Sequence, residues 1–320
     1  MAIKHTFASA KADGTDATLV QPSNWNSNHV IDSEVTFPAV ASPATPAAGT
    51  FNLFGHTLGN TRTMAAVVGP SGMDYPLQPS LWRQKVGRWN PSGNSATLPG
   101  VNGFLAWTAV GTPTARNVAT TNRLTRMRRI QYPSAAATAG SLCSLRAGSG
   151  QFTTGTGTGD GGFFYSVRFA VTDAAAVNGA RMFVGMSSAT AAPTNVDPAT
   201  LINSFGVAQL STDATQLYFV YGGSAAQTAI ALGTGFPPAN TTVPYDLMLW
   251  CSPNSNGVVS YQLERLDTGT SIGGTITPGT LGLQTPINTT LLNPVLWRTN
   301  NATALAVSLD LINAYIETDF

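Results

Sequence analysis

The sequence predicts an all-β protein: a C-terminal antiparallel, jelly-roll-like β-sandwich preceded by an extended N-terminal arm and a small β-hairpin region. Three observations carry this. Beyond residue 131, apolar segments of about six to ten residues, rich in β-branched and aromatic types, alternate with turn residues. No heptad run and no repeat of roughly 20–50 residues is present, which argues against a coiled-coil shaft, a propeller or a β-helix. With 320 residues and 43% apolar content, the chain can bury a substantial core.

Residues 1–36 read as a polar arm, with Trp25 and His29 set among Asn and Ser in LVQPSNWNSNHVID. Residues 37–49 form a Pro/Ala linker in which Pro38, Pro43 and Pro46 favour an extended connector. A basic collar region, 50–131, follows. It opens with two strands, 50–57 and 61–69, around Leu58, Gly59 and Asn60. Within 76–103, Leu81, Val86 and Trp89 suggest one helical turn, interrupted by Gly and Pro.

Residues 132–320 form the sandwich head. Its candidate strands are FFYSVRFAVT, ARMFVGMSS, SFGVAQL, QLYFVYGGS, YDLMLWCSP, VVSYQLERLD, PVLWRT and ALAVSLDLINAYIET. In the sixth, Val259, Tyr261, Leu263 and Arg265 alternate with Val258, Ser260, Gln262 and Glu264, as a strand with one dry face does. Asn256 and Gly257 supply the hairpin turn before it.

Charged residues make up 10% of the chain, against roughly 25% in an ordinary globular domain, which suggests an assembly subunit. The charge is uneven. Between 62 and 129 nine cations face only Asp74, a net of +8, whereas between 150 and 320 four cations face ten carboxylates, a net of −6. No apolar h-region follows Lys4, so no secretory leader is expected, and no apolar run is long enough for membrane insertion. Cys143 and Cys251 stand apart, as buried free thiols would.

The chemistry of catalysis is thinly supplied. The three histidines, His5, His29 and His56, all precede residue 57, and the only glutamates are Glu34, Glu264 and Glu317. A Ser-His-Asp site in the head is excluded. A carboxylate pair would need scattered aspartates such as Asp160, Asp173, Asp197, Asp213 and Asp246, most of which read as turn organisers. The run GTGTGDGG leads into a strand, not a helix, so it reads as a loop and not a phosphate cradle. No catalytic, cofactor-binding or metal-binding residues are assigned, and the chain reads as a binder, not an enzyme.

The strongest electrostatic feature is NRLTRMRRI, which holds Arg123, Arg126, Arg128 and Arg129. The preferred reading is a basic segment docked on an acidic neighbour; anionic polysaccharide is an alternative target, and nucleic acid is disfavoured for want of a recognised module. Trp250, Tyr218, Tyr221 and Trp297 could stack on sugars, but among Leu and Val they read first as core. The loops 187–200 and 222–241 are the candidate contact segments of the head.

The N-terminal stretch, with Lys11, Ala12, Asp13, Gly14, Thr18, Leu19, Val20, Pro22, Ser23, Trp25, Asn26 and His29, resembles the N-terminal segment of many tailed-bacteriophage structural proteins. Residues 161–320, including ARMFVGMSSATAAPTNVDPATLINSFGV and YIETDF, resemble the C-terminal domain of phage tail-fibre proteins. The resemblance implies a virion fibre subunit, usually a homotrimer, assembled in the host cytoplasm. Its arm would attach to tail, neck or capsid proteins and its head would face a host cell-surface glycan or protein. Leu19, Val20, Trp25, Asn26, Asn28 and His29 are the expected attachment residues, with Trp25 the aromatic anchor. A capsid or neck fibre of purely structural role is the runner-up, and a polysaccharide depolymerase stands third.

Overall fold

The computed structural model describes residues 2–3, 12–15, 29–30, 35–40, 43–58, 62–70, 74–76, 85–91, 107–155, 161–238, 242–253 and 255–318. The chain divides into two units, Met1–His56 with Ala65–Tyr75 and Thr57–Met64 with Pro76–Phe320. In the N-terminal part, β1 (Ala2–Ile3) pairs with β2 (His29–Val30), and β3 (Asn52–Leu58), β4 (Arg62–Val68) and β5 (Asp74–Pro76) form a three-stranded sheet, as the two-strand reading of 50–69 expected. Residues 38–40 of the linker run beside β3. Val40 donates to Gly55 O at 2.8 Å and Gly55 donates to Pro38 O at 3.2 Å. A side chain at Gly55 would meet Pro38 O at 3.0 Å, so glycine is what permits the approach.

The sandwich is built from two antiparallel sheets. The seven-stranded sheet has the order β15 (Ile230–Ala231), β14 (Tyr218–Gly222), β13 (Ser204–Gln209), β12 (Arg181–Ser187), β19 (Asn293–Thr299), β10 (Leu142–Ala147), β7 (Trp107–Val110). The eight-stranded sheet runs β18 (Thr270–Ile276), β17 (Val259–Arg265), β16 (Tyr245–Cys251), β11 (Phe163–Val171), β20 (Ser308–Thr318), β9 (Arg129–Pro133), β8 (Thr114–Arg116), and β6 (Lys85–Trp89) continues the β9 side of β20. Among the described residues there is no α-helix, only a 3-10 turn at Pro198–Thr200.

All eight strands expected from the head's apolar segments are present. The sheets also recruit β6, β7, β8 and most of β9 from the stretch assigned to the collar, so the sandwich reaches N-terminal of residue 132. The expected helical turn is replaced at its C-terminal end by β6. Gly87 and Trp89 are buried there while Val86 and Arg88 are exposed, a period of two imposed by pairing with β20; Leu81 lies outside the described residues.

Period-two patterning builds the core. Phe163, Tyr165, Val167, Phe169 and Val171 of β11 point inward, as do Tyr245, Leu247, Leu249 and Cys251 of β16, against Met182, Val184 and Met186 of β12. Aromatic pairs bridge the sheets: Phe163 stacks on Phe205 at 5.9 Å and Phe219 on Tyr261 at 3.7 Å. The β16–β17 hairpin turns as its Asn-Gly pair requires. Asn256 (φ 50°) and Gly257 (φ 81°) are both left-handed, and Val258 donates to Ser255 O at 3.0 Å.

One charge pair ties the layers together. Arg298 on β19, wholly buried, turns into the interior and donates through Nε to both carboxylate oxygens of Asp173 at 3.0 Å, and through a terminal nitrogen to Gln209 of β13. Asp173 follows β11 of the opposite sheet and also accepts from the Ser308 amide at the start of β20, at 2.7 Å. The expectation that Asp173 organises a turn therefore fails: its partner lies across the sandwich. Removing one partner of a buried pair typically costs about 3–5 kcal/mol. Asp173→Asn is expected to lower unfolding stability by about that much, read as a lower urea midpoint at unchanged m-value.

Cys143 and Cys251 are free and buried, as the spacing suggested. Burial pushes both thiols up to about 12, and Cys251 also donates to Thr154 O at 2.9 Å. Because the thiolate is the reactive form, neither thiol should react with Ellman's reagent at pH 8 in the folded protein. Both should react in denaturant; a rapid reaction of the native protein would contradict the burial.

Candidate functional site

The two outer faces of the sandwich differ. That of the seven-stranded sheet carries Phe183, Val220, Val295 and Trp297, covered by Leu201, Leu210 and neighbouring apolar groups. The loop 188–203 lies over it and is fastened along its length. Arg146 Nε donates to Thr190 O at 3.0 Å, Arg181 donates to Asn195 O at 2.9 Å, and Asn293 donates to Ala189 O at 3.0 Å. The expected contact segment 187–200 is thus bonded down along its length, with residues 189–192, 194–196 and 200 exposed. The segment 222–241 is divided. Residues 223–225 bond to Gly282 and Leu283 at one end of the sandwich, whereas Leu232 and Phe236 bond to Leu217 at the other, so the two halves do not form one surface.

The outer face of the eight-stranded sheet is polar in part: Ser166, Arg168, Gln262 and Glu264 are partly exposed, whereas Phe164, Ser260 and Glu317 are buried. Register sets its side chains in rows: Ser271, Glu264, Asp246, Arg168 and Asn313 in one, Gln262, Met248, Ser166 and Tyr315 in the next, then Thr275, Ser260, Trp250, Phe164 and Glu317. Asp246 is buried and accepts from Arg168 Nε at 2.6 Å and Ser166 Oγ at 2.9 Å, while the Arg168 side chain stays 41% exposed. Burial pushes the Asp246 carboxyl above its ordinary range, outweighing Arg168 and Ser166. Glu264, opposite Asp246, is raised first by burial and next by the Asp246 charge, against the lowering influence of Arg168 and Arg123. Asp246 therefore serves an ion pair on a strand, where a turn role was expected. Asp197 and Asp213 do organise turns, accepting from Ala199 N at 3.0 Å and Thr215 N at 2.7 Å.

Beside this face sits the arginine segment, held as a compact loop. Asn122 and Thr125 bond reciprocally, with Thr125 N donating to Asn122 Oδ1 at 2.9 Å and Asn122 N to Thr125 Oγ1 at 3.0 Å. Leu124 is buried against Ala170 and Ile312; a bulge between Arg168 and Phe169 in the β11–β20 pairing leaves Ile312 as the extra residue. Arg129 does not belong to any exposed patch. It is buried, donates to Asp310 at 2.8 Å and reaches the carbonyls of Leu124, Thr125 and Met127 at 3.2–3.3 Å. Asp310 also accepts from Thr172 Oγ1 at 2.7 Å, and Arg116 stands 3.6 Å away. Docking of basic on acidic sequence thus occurs within the chain through Arg129, whereas Arg123, Arg126 and Arg128 remain exposed.

Other expected positions resolve simply. Trp297 is core-like under the loop cover, Tyr221 packs against the inner core, and Tyr218 donates to Asp213 at 2.7 Å. Trp250 lies on the polar face with its ring 6.4 Å from that of Phe164. Residues 156–160 of the glycine run, Asp160 included, lie outside the described residues. Gly162 (φ 75°) leads into β11, and a side chain there would meet Pro253 N at 2.6 Å. Leu19, Val20, Trp25, Asn26 and Asn28 also lie outside the described residues, and of His29 only the backbone, paired with Ile3, is described. No group of three or more His, Cys, Asp or Glu that could hold a metal occurs among the described residues.

No family model matches the chain, and no curated protein is similar to it. Among solved structures, a protein of unknown function from Shewanella oneidensis MR-1 aligns over 73% of this chain and 85% of its own, at 13% identity and a TM-score of 0.46. Peanut lectin, solved with a nine-residue peptide, aligns over 73% of this chain and 96% of its own at 11% identity and a TM-score of 0.45. Lectin II from Ulex europaeus aligns over 67% and 93% at 13% identity and a TM-score of 0.43.

Arg129 differs sharply from Arg126 and Arg128 in expected cost. Arg129→Ala strands a buried carboxylate and frees the loop, so a loss of about 3–5 kcal/mol is expected. Arg126→Ala and Arg128→Ala should stay within about 0.5 kcal/mol. Chemical denaturation of the single variants measures both.

Proposed function

We propose that this chain is a fibre subunit of a tailed-bacteriophage virion, attached to the particle by its N-terminal arm and adsorbing to the host through the polar outer face of its eight-stranded sheet. The ligand class is an anionic surface polysaccharide. The observation that carries the reading is the arginine loop clamped beside that face: Arg123, Arg126 and Arg128 are exposed, and Arg123 acts electrostatically on Glu264, which stands in one row with Asp246 and Arg168. Guanidinium groups bind carboxylates and sulfates as planar forks, and amide and hydroxyl side chains suit sugar hydroxyls. A rigid mounting keeps the entropic cost of binding low.

Binding without hydrolysis fits the site better than depolymerase chemistry. Asp246 and Glu264 are cross-strand neighbours, but the oxygens of Asp246 are already engaged by Arg168 and Ser166, which leaves Glu264 without a free carboxylate partner for acid–base work. Incubation with host polysaccharide should release no oligosaccharide.

Three measurements test the reading. The triple variant Arg123→Ala, Arg126→Ala, Arg128→Ala should fold normally and bind host capsular or lipopolysaccharide material on the order of tenfold more weakly, with a reduced salt dependence. Unchanged adsorption with intact particle assembly would favour a purely structural neck or capsid fibre. Because the Glu264 and Asp246 carboxyls are raised, both take up protons more readily than exposed carboxylates and the face becomes more cationic as pH falls. Binding of an anionic polysaccharide should therefore strengthen as pH falls toward the range where these raised carboxyls take up protons, and Glu264→Gln should blunt that gain. For the arm, Trp25→Ala should give a folded protein that fails to enter particles, whereas full incorporation would remove Trp25 as the anchor.

A further inference from the structure

Sheet edges are templates for pairing, and most edges of this sandwich are blunted. Strand β15 has two residues, β8 three, ending in Arg116, and β7 four; β6 carries Lys85 and Arg88. Strand β18 is different. It has seven residues, TSIGGTI, with no charge and no proline, and pairs with β17 in unbroken register from Val259↔Ile276 to Arg265↔Thr270. Thr270, Ser271, Gly273 and Thr275 are exposed, and no strand among the described residues pairs with its outer side.

We propose that β18 is a self-association edge: it pairs antiparallel with β18 of a second copy of this chain across a twofold axis, joining two eight-stranded sheets into one. Self-pairing sets a strand against its own side chains, so any charge in it meets a like charge nearby, and β18 has none to repel. With Gly273 on the axis, Ser271 stands across from Thr275 of the second copy and Ile272 across from Gly274, which puts hydroxyl beside hydroxyl and a branched side chain over a glycine. Pairing with a different strand of the copy would need a second neutral edge of similar length; in the sandwich the longest alternative, β6, is cationic, and β3, of equal length, already has residues 38–40 bonded along its outer side. An isologous contact of this kind closes on two chains, where the fibre resemblance implied three.

Light scattering of the full chain at micromolar concentration tests this. The wild type should have the mass of two chains. The double variant Ser271→Lys, Thr275→Lys sets cation against cation twice across the axis and should shift association at least tenfold upward in concentration, leaving monomer. Ser271 faces Glu264 within its own sheet, so a lysine there gains an intrachain partner and the far-ultraviolet circular dichroism should be unchanged. The variant Ser271→Lys, Thr275→Glu replaces repulsion with attraction in the same register and should restore the pair. A monomeric or trimeric wild type, a Lys/Lys variant that stays paired, or failure of the Lys/Glu variant to recover would each overturn the proposal.

Discussion

The ion pair between Arg298 and Asp173 is the constraint on which the sandwich closes. A guanidinium inside two apolar layers is tolerable only if its charge and donors are met, and Asp173 and Gln209 arrive from separate segments to do so, with the Ser308 amide donating in turn to Asp173. Because Thr172 precedes Asp173 and faces the other way, the same exit from β11 also feeds the outer network of Asp310, Arg129 and the arginine loop. Two consecutive residues thus couple the interior of the fold to the mounting of its exposed cations. A slip of one residue at this point would exchange their faces and leave two buried charges unmet.

The legible part of the fold follows from what local sequence can encode. Strands such as β11, β16 and β17 are one-sided and apolar, and their period-two pattern specifies both strand and face. The charged contacts were not legible in the same way. The arginines of Asp173 and Asp246 lie 125 and 78 positions away, and Arg129 and Asp310 are separated by 181. No local window holds both members of such a pair. Arg129 looked like its three neighbours in composition, and only the long-range pairing sets it apart. Strand β18 escaped notice because two glycines and three hydroxyl residues give it no apolar stripe, which is also why it lies at an edge.

The two outer faces illustrate how one architecture divides labour. Where β12, β13, β14 and β19 present large apolar groups outward, the chain spends a loop to cover them, and that loop is fixed by arginine and asparagine bonds to backbone carbonyls. Where the outward groups are Ser166, Arg168, Gln262 and Glu264, all four keep part of their surface in water. Exposure of a loop in sequence therefore says little about its availability to a partner; the chemistry of the sheet beneath it decides.

Strands β19 and β20, the last two in the chain, occupy interior positions in their sheets: β19 between β12 and β10, β20 between β11 and β9. The strands on either side of those positions, β12 and β10 in one sheet and β11 and β9 in the other, are therefore separated by a gap until β19 and β20 have been made. During synthesis the ribosome-bound chain can form hairpins such as β16–β17, but it cannot complete either sheet before residues 293–318 leave the exit tunnel. A stop codon before residue 293 would yield not a slightly shortened protein but two sheets each split by a gap, marked for degradation by the apolar faces they fail to bury.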